Sequence, residues 1–126
     1  MDQNQMNLTE AEWSVMECIW EDSPLTGRQV TECMEQKMGW NRSTTLTLLR
    51  RLEEKGAVVS DSKGVKKLFY PHVTREDVVH QETKSFLERV YSGSVSLLVS
   101  AMTKKQALSK QEIDELYTML KELSEE

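Results

Sequence analysis

The chain has 126 residues, 38% of them apolar, and carries a formal net charge of −5 with a pI near 5.2. That suffices for one compact domain, or a domain with a small appendage, but not for a large core. Apolar runs such as "LLV" at 97–99 fall far short of the roughly 20 residues of a membrane span, and "MDQNQMNLTEAEW" lacks the basic start and apolar middle of a secretion signal, so a cytoplasmic protein is expected.

The net charge averages unlike blocks. Residues 1–36 carry one basic group against eight acidic ones, residues 37–75 nine against three, and residues 76–126 six against ten. A local excess of six positive charges is the footprint of a surface that meets phosphates, and a low overall pI does not exclude it.

In chain order, the first element is a helix over about 10–21. "LTEAEW" opens it with Thr9 and Glu12 as a capping box and Leu8 with Trp13 as a hydrophobic staple, and the helix buries Trp13, Met16, Ile19 and Trp20. It stops before Pro24, which restricts Ser23 to extended conformations. "LTGRQV" repeats the device with Thr26 and Gln29 and starts a second helix over about 27–37, with Val30, Cys33 and Met34 inward and Gly39 as a left-handed terminus. Two cysteines, Cys18 and Cys33, are too few and too far apart for a zinc knuckle. Both fall in amphipathic helices and are expected to be free, buried thiols, with no bound metal or other cofactor.

The third helix, capped by Asn41, runs to Lys55 and ends at Gly56. At about 100° per residue it has two faces. Thr45, Leu48, Leu49 and Leu52 share one arc, while Ser43, Thr44, Thr47, Arg50, Arg51, Glu54 and Lys55 share the other. Arg42 stands at its start. Short hydroxyl side chains allow close approach to DNA, a threonine methyl can pack on a thymine methyl, and arginine can hold guanine or phosphate with two hydrogen bonds. Next, "AVVS", the turn "DSKG" and "VKKLFYP" read as a hairpin, with Leu68 and Tyr70 on one face and Lys63, Lys66 and Lys67 at its tip and second strand. Three helices followed by a hairpin give the winged helix-turn-helix order, with the lysines placed to lie along the sugar-phosphate backbone.

From residue 74 the chain is helical again, over about 75–91, 94–103 and 110–123, with a break at Gly93. The last helix opens on a further capping box, Ser109 with Glu112. The fold class is thus mostly α with a small β-hairpin: a DNA-binding unit over 1–73 and a helical region over 74–126. Ile113, Leu116, Leu120 and Leu123 form one apolar stripe; Phe86, Leu87, Val90 and Tyr91 form another, and Leu97 and Leu98 lie in the short middle helix. Three helices of this size close a self-contained core poorly, so a second copy of the chain is expected to cover these stripes.

Taken together, "LTEAEWSVMECIW", "WNRSTTLTLLRRLEEKG", the hairpin ending "FYP", "FLERVYSGSVSLLV" and "LSKQEIDELYTML" resemble the penicillinase repressors, the BlaI/MecI/CopY family of bacterial winged-helix transcriptional regulators, over nearly the whole chain. The resemblance implies a homodimer that represses genes such as those of β-lactam resistance by binding double-stranded inverted-repeat operators. It also implies C-terminal helices that dimerise, with Ser43, Thr44, Thr47 and Arg51 facing the groove.

In the β-lactam branch, a membrane-bound sensor protease triggers cleavage after "LVLN" and before Phe. The matching stretch here is "LLVSAM", which would place the bond at Ala101–Met102 without the Asn or the Phe. The copper branch carries paired Cys-x-Cys motifs at its C-terminus, whereas this chain has no cysteine after residue 33. A metal-responsive repressor without that motif, and a winged-helix module that binds protein instead of DNA, are the rival readings. The second would call for an apolar or acidic exposed face on the third helix. An enzyme is not expected: no Ser/His/Asp set, Gly-rich phosphate loop or metal-ligand spacing occurs, and His72 and His80 read as a turn residue and a solvated helix residue.

Overall fold

The computed structural model describes residues 6–105 and 107–125. The elements follow the order α1 (Glu10–Glu21), β1 (Leu25–Thr26), α2 (Gly27–Met38), α3 (Arg42–Lys55), β2 (Val58–Asp61), β3 (Leu68–Pro71), α4 (Arg75–Tyr91), α5 (Val95–Lys104) and α6 (Lys110–Ser124). Each predicted helix lies within about two residues of its expected limits. The reason is visible at the ends. Thr9 with Glu12, Thr26 with Gln29 and Ser109 with Glu112 all form reciprocal capping boxes, and Asn41 caps α3 by accepting from Thr44 N at 2.9 Å. Gly39 (φ 71°) and Gly56 (φ 84°) take the left-handed terminal conformation that a side chain resists.

The sheet has three antiparallel strands in the order β1-β3-β2, so the expected hairpin carries one further strand. Leu25 pairs with Phe69 and Thr26 with Leu68. A two-residue strand has no alternation to read, which is why the sequence shows only the helix cap that follows it. The lysine-bearing segment 62–67 is the loop of the hairpin, so Lys66 and Lys67 precede the second strand and do not lie in it.

The chain divides into two compact units between Glu82 and Thr83. The boundary read from the sequence lies nearer the start of α4, at 73/74. In the first unit α1, α2 and α3 close over Val15, Met16, Ile19, Val30, Met34, Leu48, Leu49 and Leu52, and Ala57, just before β2, joins them with Val58 and Phe69 of the sheet. Trp13 and Trp20 are only half-buried. Their rings meet edge to face at 5.5 Å, and each indole N–H needs an acceptor: Trp13 donates to Glu17 and Trp20 to the Val73 carbonyl. The start of α4 belongs to this unit, where Val78 is buried, Arg75 pairs with Glu17 at 3.4 Å and Gln81 accepts from Met6 N.

Cys18 and Cys33 are not free thiols but are bonded to each other. Cys18 occupies the inner face of α1 and Cys33, half-buried, the face of α2 that meets it, so the packing of two amphipathic helices brings the sulfurs together. The Met34 sulfur lies 3.3 Å from that of Cys18.

Thr45 is fully buried in α3, and its hydroxyl has no hydrogen-bond partner. An unpaired buried hydroxyl costs free energy that an apolar group of the same shape does not. Thr45→Val should therefore raise stability by about 1 kcal/mol, read as a higher urea midpoint with an unchanged slope.

The second unit has its own character. Neither α5 nor α6 has a single buried residue. Phe86 and Tyr91 meet edge to face at 5.9 Å, while Leu97, Ile113, Leu120 and Leu123 remain about half or more exposed.

Candidate nucleic-acid interface

Helix α3 is held at its C-terminal end by charged residues that a helical wheel cannot assign. At its C-terminal end the Lys55 ammonium donates to Glu12 Oε1 and to the Asn7 carbonyl, both at 2.6 Å. Glu12 is 1% exposed, so the residue that caps α1 also anchors α3. Burial alone would push the Glu12 carboxyl up, but hydrogen bonds from Lys55 and Thr9, with the charge of Lys55, hold it below the usual carboxylate value. A carboxyl held low when folded stabilises the fold above its unfolded pKa and loses that contribution as pH falls through the folded value. Lys55→Met should thus destabilise the protein at pH 7 and progressively less below the ordinary Glu value of 4.5, measured as urea midpoints across that range.

Glu53 ties α3 to the wing in a similar way. It accepts from Ser60 Oγ at 2.8 Å and pairs with Lys67 at 3.7 Å, and the Lys67 ammonium also lies 5.3 Å from the centre of the Phe69 ring. At the wing tip, Lys63 N donates to Asp61 Oδ1, which shapes the turn.

These ties sort the basic block into two groups. Lys37, Lys55, Lys67 and Arg75 meet carboxylates of the same unit, whereas Arg42, Arg50, Arg51, Lys63 and Lys66 are exposed and form no ion pair among the described residues. Ser43 and Thr44 are exposed beside the arginines, and Thr47 is half-buried. The opposite face, Thr45, Leu48, Leu49 and Leu52, is buried as the periodicity requires. An open groove is lined by Arg42, Ser43, Leu46, Thr47 and Arg50. Leu46 is the member the sequence reading left out, because a leucine just ahead of the buried Leu48–Leu49 pair carries no signal of exposure. A second, smaller depression at the start of α3 is lined by Arg28, Thr31, Glu32, Glu35, Trp40 and Arg42.

In the second unit Phe86, Val90, Leu97, Ile113, Leu120 and Leu123 are exposed, and Leu87, Tyr91, Leu98 and Leu116 are half-buried. Ala101 and Met102 lie within α5, the first half-buried and the second exposed. No cluster of three or more His, Cys, Asp or Glu residues that could hold a metal ion occurs among the described residues. No helix among them is long and apolar enough to cross a membrane.

Comparison with known proteins matches this arrangement to repressors. The penicillinase repressor family matches residues 8–122. The methicillin resistance regulatory protein MecI of Staphylococcus aureus (strain N315) is 33% identical over 122 residues, which cover 95% of this chain and 98% of that protein. The penicillinase repressor of Bacillus licheniformis is 31% identical over 115 residues, covering 91% and 90%. The monomeric form of B. licheniformis BlaI, solved in solution in complex with the blaP half-operator, is 27% identical and superposes with a TM-score of 0.53 over 59% of this chain and 90% of that one. The superposed portion of this chain is about as long as its helix-sheet unit, whose fold is a winged helix. With the family match running over nearly its whole length, the chain belongs to the penicillinase repressor family.

Proposed function

We propose that the protein is a homodimeric transcriptional repressor that binds an inverted-repeat operator with α3 in the major groove and the β2–β3 wing along the backbone. The observation that carries this reading is the sorting of charge within residues 37–75: among the described residues, the cations of this block that form no ion pair are Arg42, Arg50, Arg51, Lys63 and Lys66, on the outer face of α3 and on the wing. In this arrangement Ser43, Thr44, Thr47 and Arg51 approach base edges, while Arg42, Arg50, Lys63, Lys66 and, more weakly because of Glu53, Lys67 hold phosphates. That the B. licheniformis relative was solved in complex with a half-operator supports DNA as the partner.

The second unit supplies the dimer. Its unburied helices expose Phe86, Val90, Ile113, Leu120 and Leu123, and a second copy would cover them together with Leu87, Tyr91, Leu97, Leu98 and Leu116. Symmetry then presents two α3 helices to two half-sites, about 34 Å apart.

Release from DNA would follow from anything that breaks the dimer. Cleavage of Ala101–Met102 on the signal of a membrane-bound sensor protease is one route. Because this bond lies inside α5, the helix must first unwind locally.

The test of the wing is electrostatic. Lys66→Ala should weaken binding to every duplex by a similar factor and lower the slope of log K against log salt by about 1. Titrations of an operator and a scrambled duplex at three or more salt concentrations would measure both, and an unchanged slope would remove the wing from the interface.

A further inference from the structure

We propose that Leu46 is a sequence-reading residue that packs against the methyl group of a thymine in each operator half-site. The inference rests on the operator reading above and extends it to a residue and a base.

Leu46 is 37% exposed on a face of α3 that is otherwise polar or cationic. One turn before it stands Arg42 and one turn after it Arg50, with Ser43 and Thr47 beside it, and all five line the same open groove. A single exposed leucine is ordinary on a protein surface, so exposure alone says little. Its setting is what distinguishes it. A Cβ added to Gly27 at the start of α2 would lie 3.8 Å from Leu46 Cδ2 and 3.7 Å from Phe69 Cε2, so the leucine lies beside the start of α2, on the side of a buried ring. The result is an apolar spot framed by two guanidinium groups and two hydroxyls.

Among the four bases, only thymine offers a methyl group to the major groove. The flanking arginines can hold the phosphates or purines on either side while the leucine covers that methyl. Cytosine at the same position carries hydrogen in place of the C5 methyl and leaves the leucine without that contact, so the contact distinguishes the two pyrimidines.

The test removes the methyl group and nothing else. The full-length protein first selects its duplex from a random-sequence pool, and each thymine of the selected half-site is then replaced singly by deoxyuridine. For the wild-type chain, one such replacement should weaken binding by about fourfold, as expected for one buried methyl group. Leu46→Ala should bind the thymine and uracil duplexes equally, and Leu46→Met, which keeps an apolar reach, should retain the discrimination. Loss of affinity by the same factor in wild type and Leu46→Ala at every position would overturn the proposal while leaving operator binding intact. Selection of no sequence at all would instead overturn the operator reading on which it depends.

Discussion

A chain ending at Glu82 should fold, remain monomeric and bind an inverted-repeat duplex roughly 10²- to 10⁴-fold more weakly than the full-length protein, the loss expected when two linked half-site contacts become independent. The first unit contains its own core, and the start of α4 is part of it. Val78 is buried there, Gln81 accepts from Met6 N, and Arg75 pairs with Glu17 and lies 6.0 Å from the centre of the Trp13 ring. The second unit has no comparable core, since α5 and α6 bury no residue of their own. A cut just before Thr74 would remove Val78 and Arg75 from the first unit, so the two truncations should differ in stability even though both lack the apolar helices. Sedimentation velocity gives the oligomeric state, and titration against one- and two-half-site duplexes gives the loss. A dimer that persists after removal of residues 83–126 would place the interface elsewhere.

Arg51→Ala and Thr47→Ala should each cost on the order of 1–3 kcal/mol in operator affinity and should compress the ranking of related sequences. Both side chains lie on the outer arc of α3, and Arg51 meets no carboxylate among the described residues, so its guanidinium is available for a bidentate contact. Neither change touches the buried arc. Thermal stability should accordingly stay within about 0.5 kcal/mol of the wild type, as for most surface substitutions. The pattern differs from that of Lys66→Ala, which weakens all sequences alike. Competition titrations with single-base variants of the operator separate the two: unchanged affinity and unchanged ranking in Arg51→Ala would remove it from the readout face.

Local chemistry made much of this molecule legible. A Ser or Thr followed three residues later by Glu or Gln marks a helix start whatever the tertiary context, so the limits of α1, α2 and α6 could be read directly. The leucine seam of α3 follows from helical periodicity in the same way, as does the exposure of Ser43, Thr44, Arg50 and Arg51. What could not be read depends on partners distant in sequence. Nothing near Lys55 says that it reaches Glu12, forty-three residues earlier, nor that Glu53 draws Lys67 towards itself. The strand at Leu25–Thr26 exists only because Leu68 and Phe69 lie beside it. The bond between Cys18 and Cys33 follows from the crossing of two helices, and the division between units falls in the middle of α4, where helical continuity leaves no mark in composition. Leu46 escaped notice because a wheel sorts residues by angle, while its place beside Gly27 at the start of α2 depends on another element.

Dimeric operator binding is decided by footprinting the full-length protein on the DNA upstream of its own gene. Two protected half-sites of inverted sequence are expected, their centres about one helical turn apart, both lost together in Arg51→Ala at the same protein concentration. Protection of a single isolated half-site, or none at any concentration that keeps the protein soluble, would contradict it.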